Sequence, residues 1–150
     1  MVAVGSVEPN NLRGEKFEDG NWSDIEPPPV PISYGMYAVV FHVGNFYYFG
    51  GTTLSGPVDD ILGLNEASWT WSKLGKLNSL RYGHSAILVE NTFMVIGGQS
   101  RITRSNFRVK SNEACRLTDN KFSCTEASSK LTKYVFRPLC FLVNDDYGEC

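Results

Sequence analysis

Positive charge is in short supply in this sequence, and long apolar runs are missing. The 14 Lys and Arg residues are outnumbered by 16 Asp and Glu residues, which gives a formal net charge of −2. This balance offers no electrostatic attraction for nucleic acid or for an anionic membrane surface, so neither is expected as a partner. No apolar run approaches the roughly 18 residues of a membrane-spanning helix, and we therefore expect no membrane span.

Metal-ligating residues are also scarce. Only His42 and His84 are present, and neither belongs to a cluster with metal-ligand spacing, so we expect no metal site and no cofactor. For His84 a structural hydrogen-bonding role is expected. The first residues carry no positively charged segment ahead of an apolar run, so no signal peptide is expected. The alternatives are an intracellular protein and a chain whose true amino terminus lies elsewhere.

Aromatic residues, by contrast, make up 13% of the chain, which is typical of strand-rich proteins. Residues 82–98 contain two apolar runs, at 85–89 and 93–96, separated by polar turn residues and closed by Gly97 and Gly98. Such runs bounded by turn residues predict a pair of strands. Their continuous apolar character predicts that both faces of the strands are covered.

The same pattern occurs earlier in the chain and predicts a repeat. The glycine pair Gly50-Gly51 precedes the pair at 97–98 by 97 − 50 = 47 residues, and the Tyr-Gly pairs that start the two units are 82 − 34 = 48 residues apart. The difference of one residue is expected in the turn. Trp71-Ser72 follows Trp22-Ser23 by 71 − 22 = 49 residues. Similar units at this period are typical of propeller blades or solenoids.

Shorter signals complete the predicted order of elements. Residues 1–16 are polar and predict a disordered or loop lead-in, the prolines at 27–31 predict an extended connection, and residues 52–57 predict a loop. The remaining predicted strands lie at 22–25, 60–64, 69–74, 114–117, 122–125 and 136–143.

These motifs resemble the kelch repeat. The residues that carry the resemblance are the two diglycines Gly50-Gly51 and Gly97-Gly98, Trp71 with Trp22 as its partial counterpart, and the lead-in Arg81-Tyr82-Gly83-His84. The sequence departs from the family at Leu64 and Leu117, where tyrosine is usual, and at Phe122, where tryptophan is usual. The resemblance implies an all-β fold of antiparallel four-stranded blades in a β-propeller, which in most members is a binding platform.

The resemblance also implies a division of the chain. Residues 17–150 form a kelch-repeat segment, in which the end of one blade precedes blades at about 34–80 and 81–132 and the start of another at 133–150. Propellers typically have four to eight blades. We therefore expect a partial, open or truncated propeller, either a fragment or a chain that needs further kelch blades in cis or in trans.

The cysteines are the sharpest local signal. If residues 119–120 form a two-residue turn, positions whose numbers sum to 239 face each other, and 115 + 124 = 239. Counting outward from the turn places Cys115 and Cys124 in a non-hydrogen-bonded pair, whose short Cα separation suits a disulfide. A disulfide favours an extracellular or secretory setting, and two buried free thiols are the alternative. Cys140 and Cys150 are left to pair with each other or with other sequence.

The sequence Asn21-Trp22-Ser23 matches the acceptor for N-glycosylation. Such triplets are common by chance, and we expect Trp22 to face inward from its strand, which argues against modification of Asn21.

The function indicated first is a non-catalytic propeller segment that mediates protein–protein contacts, because loops on a rigid scaffold often carry recognition. The predicted interaction loops are residues 52–59, with Thr52, Ser55 and Asp59, and residues 99–106, with Gln99, Arg101 and Arg104. The identity of the protein partner is open. Three alternatives remain: an intracellular adaptor of the ubiquitin-ligase type, an extracellular module that binds carbohydrate or matrix, and a fragment of a propeller enzyme resembling galactose oxidase. No set of residues for catalysis is identifiable in the sequence.

Overall fold

The computed structural model describes residues 2–8, 11–30, 36–100, 109, 111–130 and 133, and these contain thirteen β-strands and no helix. The first three strands form sheet I, in the order β1 (Val2–Glu8), β2 (Asn11–Glu18) and β3 (Asn21–Ile25). The strands are antiparallel throughout. Since no described residue is helical, no helix in the described part of the chain is long and apolar enough to cross a membrane.

The predicted loop lead-in at residues 1–16 is wrong, because β1 and most of β2 lie there. The turn at Asp19 and Gly20 has positive φ angles of 50° and 82°, as the tight hairpin turns that match strand twist require. It sets β2 against β3 with Phe17 opposite Trp22. The prediction treated the whole stretch as polar, although β1 contains three valines, which are β-branched residues that favour strands.

Sheet II follows, with four strands in the order β4 (Ala38–His42), β5 (Asn45–Phe49), β8 (Asp60–Asn65) and β9 (Trp71–Lys76). Between β5 and β8 lies a small hairpin of β6 (Thr52–Thr53) and β7 (Gly56–Pro57), where the sequence predicted only a loop. The strands predicted at 60–64 and 69–74 are confirmed as β8 and β9. The second of them starts and ends two residues later than predicted.

Sheet III repeats the arrangement, in the order β10 (Ser85–Val89), β11 (Thr92–Ile96), β12 (Ser111–Thr118) and β13 (Lys121–Lys130). The first two strands start 85 − 38 = 47 and 92 − 45 = 47 residues after their counterparts in sheet II. Both intervening turns have two residues, at 43–44 and 90–91. The predicted length difference in the turn is therefore wrong.

The fold is all-β and is built from antiparallel sheets, two of them four-stranded, and no described sheet is closed. Several predicted features lie outside the described residues: the Tyr34-Gly35 start of the first unit, Arg101 and Arg104, the strand at 136–143, and Cys140 and Cys150.

Sheet II lies between the other two sheets, and alternation along its strands supplies both contacts. On one face, Tyr47 and Phe49 of β5 join Phe93 and Phe122 of sheet III in a buried cluster. On the other face, residues of β5, β8 and β9 pack against Ile25 of sheet I, among them Tyr48, Leu62, Leu64 and Trp71. The continuous apolar run of β5 is thus buried on both faces, as the sequence predicted for the strands of this pattern.

Candidate functional site

The motif residues shared by the two units meet at one end of sheets II and III. There the segment 81–84 passes between the two glycine pairs, and we call these eight residues the glycine junction. The Gly51 amide donates to the Arg81 carbonyl oxygen at 2.8 Å, and Tyr82 exchanges two backbone hydrogen bonds with Gln99 at 2.9 and 3.0 Å. The junction therefore fastens the segment that enters sheet III to the strand ends of both sheets.

Two of the glycines are required by close backbone approach. Gly50 has φ +55°, and a Cβ there would lie 2.6 Å from the Arg81 carbonyl oxygen. Gly98 has φ +93°, and a Cβ there would lie 2.9 Å from both the His84 Cβ and the Tyr82 carbonyl oxygen. A side chain at either position would strain the backbone and collide with segment 81–84.

Arg81 is the most enclosed charged residue of the junction, and its side chain is fully buried. Its Nη1 donates to the carbonyl oxygens of Gly97 and Ser111, each at 3.1 Å, and its Nη2 donates to Glu113 Oε1 at 2.5 Å. Burial lowers the pKa of Arg81 below its ordinary value, and the Glu113 carboxylate opposes this shift. The guanidinium stays charged because its counterion is buried with it.

Glu113, on β12, completes the arrangement from the other side, and its side chain is 1% exposed. Its carboxylate also accepts hydrogen bonds from the backbone amides of Asn78 at 2.7 Å and Ser79 at 3.1 Å. A single buried carboxylate thus holds the connection between sheets II and III and the Arg81 side chain. The sequence prediction missed Glu113, because a lone glutamate in a strand carries no local signal of its distant partner.

His84 is buried between the two glycine pairs. Desolvation by burial and, to a lesser extent, the positive charge of Arg81 lower the pKa of His84 to about 3, with the backbone of Phe49 partly offsetting the shift. His84 is therefore neutral at physiological pH. Neither ring nitrogen has a hydrogen-bond partner among the described residues, so the hydrogen-bonding role expected from the sequence is not found, and the ring packs as a spacer in the junction.

The other motif residues also contact backbone or neighbouring sheets. Trp71 is half-buried, its Nε1 donates to the Glu26 carbonyl oxygen at 2.8 Å, and its ring lies 5.0 Å from that of Tyr48. The Tyr82 hydroxyl donates to Gln99 Oε1 at 2.6 Å. The Gly83 amide donates to the Met36 carbonyl oxygen at 2.8 Å. These contacts tie the motif to the packing of the sheets.

The predicted interaction loops differ in accessibility. Thr52 is buried, at 3% exposure, while Ser55 and its neighbour Leu54 are exposed at the tip of the β6–β7 hairpin. Asp59 accepts hydrogen bonds from Lys76 Nζ at 2.9 and 3.2 Å. Gln99 is half-buried and held by Tyr82 as described. Among the described loop residues, the hairpin tip therefore offers the accessible surface.

The predicted cysteine pairing is confirmed. Cys115 and Cys124 are direct partners in the β12–β13 register, their sulfurs are 2.08 Å apart and their Cα atoms 4.0 Å apart. The turn residues Asp119 and Asn120 have φ angles of 51° and 58°, as a two-residue hairpin turn demands. The turn thus sets the register that brings the sulfurs together.

Among the described residues, one group could offer three metal ligands, namely Glu113, Cys115 and Cys124. The two sulfurs are joined to each other, and the carboxylate is engaged by Arg81 and two amides. Thiolate is the form of cysteine that binds metal. The group therefore cannot act as a metal site while the disulfide is intact.

A polar cleft of about 450 Å³ lies between sheets II and III at the end opposite the glycine junction. The sequence prediction missed it, since its walls come from strand ends far apart in the chain. Its amides serve nearby turns: Asn45 Nδ2 donates to the Val43 carbonyl oxygen at 2.9 Å, and Asn65 Oδ1 accepts from the Ser68 amide at 2.9 Å. The polar lining residues are Asn45, Asn65, Ser68, Thr70, Ser72 and Asn120.

A scan against protein-family models finds no match for this chain, and a search of curated proteins finds no similar sequence.

Replacing Gly98 with alanine should destabilise the protein strongly, and Gly20→Ala is the matched control. Both glycines have positive φ, but a Cβ at Gly20 would meet nothing within 4 Å. We expect about 1–2 kcal/mol loss of unfolding free energy for Gly20→Ala from backbone strain. For Gly98→Ala we expect at least about 1–3 kcal/mol more, from overpacking against His84. Urea denaturation measures both, and equal losses would contradict the close approach.

Acidification should destabilise the protein through His84. Its folded pKa, about 3, lies below the unfolded value of 6.5, so between these pH values the unfolded state binds more protons. The contribution of His84 to the free energy of unfolding is therefore fully present above about pH 6.5. It is lost as the pH drops towards 3, by up to about 1.4 kcal/mol per pH unit. Unfolding curves of the wild type and of His84→Gln, recorded from pH 7 to 4, should converge at low pH. Parallel curves would show that His84 is not buried neutral.

Proposed function

We propose that this protein is a segment of a kelch-type β-propeller that acts as a non-catalytic scaffold for protein–protein contacts. The observation that carries the proposal is the repetition of one unit in sheets II and III. Each is a four-stranded antiparallel sheet with the same strand order, and each has a diglycine after its second strand. Stacked units of this kind are rigid and present their loops at fixed positions, which suits recognition.

Sheet I supports the part of the proposal that concerns further blades. Trp22 on β3 faces away from sheet II and is 49% exposed, with Phe17 beside it at 36%, in contrast to the inward position expected from the sequence. Leu117 and Phe122 hold the equivalent places in sheet III, where sheet II covers them. We propose that a further four-stranded sheet, in cis or in trans, covers the pair on sheet I.

The hairpin tip between β6 and β7 is the recognition surface we favour. Leu54 is 57% exposed, so the tip presents an apolar side chain that a partner could bury. The Thr53 hydroxyl accepts from the Ser55 amide and donates to the Gly56 carbonyl oxygen, each at 3.1 Å. The tip is thus ordered before binding, which lowers the entropic cost of association.

The disulfide between Cys115 and Cys124 supports an oxidising setting for the scaffold, since such bonds persist in secretory and extracellular compartments. An intracellular adaptor of the ubiquitin-ligase type would instead carry these residues as thiols.

A photo-crosslinking side chain placed at Leu54 tests the recognition surface. Val43 is the matched control, because it is 77% exposed and lies in the β4–β5 turn at the opposite end of sheet II. We expect a discrete protein adduct at Leu54 and none at Val43 when each variant is incubated with the extracellular fraction of its source tissue. The added substitution Ser55→Pro, which removes the amide bonded to Thr53, should weaken the adduct. Equal adducts at both positions, or none at Leu54, would contradict the proposal.

A further inference from the structure

The acceptor sequence Asn21-Trp22-Ser23 occupies a favourable place in the fold. Asn21 is the first residue of β3 and directly follows the turn at Asp19 and Gly20. Its side chain is exposed. The only hydrogen bond that it makes within the described part of the chain is donated by Nδ2 to the Asp19 carbonyl oxygen at 3.2 Å. The amide nitrogen is therefore held by one long local bond.

The hydroxyl of the acceptor sequence is equally accessible. Ser23 is exposed, and its hydroxyl makes no hydrogen bond to any of the described residues. Because alternate residues of a strand point to the same face, Asn21 and Ser23 lie on one side of β3. Trp22 lies on the other, so that a sheet covering Trp22 would leave Asn21 at the free end of the hairpin.

Two further observations favour modification. The argument from the sequence against it was an inward-facing Trp22, but Asn21 and Ser23 lie on the opposite face of β3 and are both exposed, so a sheet that covers Trp22 does not cover them. The second, independent observation is the Cys115–Cys124 disulfide, which indicates passage through the compartment where N-glycans are added. Asn21 also begins the only Asn-X-Ser/Thr triplet in the chain, so a glycan would have a single position.

We propose that Asn21 carries an N-linked glycan, an inference that rests on the oxidising setting of the proposed function. In the transfer, Asn21 Nδ2 bonds to the anomeric carbon of an oligosaccharide carried on a lipid diphosphate. The bond from that carbon to the diphosphate oxygen breaks, the diphosphate leaves with the electron pair, and the amide nitrogen loses one proton. The glycan stands at the hairpin end of sheet I, where it adds a bulky, solvated group.

Peptide mapping of the protein purified from its natural source tests the inference. Digestion with an N-glycan amidase converts a glycosylated asparagine to aspartate, so residue 21 should appear as Asp after treatment and should carry a hexosamine-containing glycan before it. Non-reducing mapping of the same sample reports on Cys115–Cys124. A linked pair with unmodified Asn21 would overturn the glycan and leave the oxidising setting intact. Free thiols with unmodified Asn21 would overturn both.

Variants of the chain secreted from cultured eukaryotic cells provide the matched controls. Wild type and Ser23→Thr should each show one band that shifts on amidase treatment, while Asn21→Gln and Ser23→Ala should run unshifted at the lower mass. Because residues 21 and 23 are exposed, all four chains should fold. Formation of the Cys115–Cys124 disulfide in each chain verifies this. A shift that persists in Asn21→Gln, or a wild type without one, would contradict the assignment.

Discussion

The buried ion pair between Arg81 and Glu113 is the constraint on which the rest of the structure depends. Arg81 lies in the connection that enters sheet III, and Glu113 lies on the third strand of that sheet. Together they bond to the ends of β11 and β12 and to the two amides at 78 and 79. A buried charge left without its partner is costly, so the pair strongly favours the arrangement in which Arg81 and Glu113 stay together.

The glycine junction and the aromatic cluster depend on this pair in different ways. The junction needs Arg81 in position because its carbonyl oxygen accepts the Gly51 amide, and the diglycines leave the space that His84 fills. The cluster of Phe49, Phe93 and Phe122 supplies the non-directional hydrophobic stabilisation between sheets II and III. Packing thus provides the bulk of the attraction, and the ion pair fixes the relative position of the sheets.

Local signals in the sequence predicted much of this fold. The tight turn at Asp119 and Asn120 sets the register, so the pairing of the two cysteines followed from counting. Apolar runs bounded by turn residues and closed by glycine pairs likewise located the first hairpins of sheets II and III. The prediction failed at β1, whose three valines were included in a polar lead-in, and at Glu113, whose partner Arg81 lies 32 residues away in the sequence. The exposure of Trp22 depends on which sheets surround it, which no strand pattern states.

A double-mutant cycle between Arg81 and Glu113 tests the central role of their ion pair most directly. The unfolding free energies of the wild type, Arg81→Met, Glu113→Gln and the double variant are measured in urea with the disulfide intact. Each single change should cost about 3–5 kcal/mol, because it leaves one buried charge unpaired. The double variant should cost at least about 2 kcal/mol less than the sum of the two. Additive losses, within about 0.5 kcal/mol, would show that the pair does not hold the sheets together.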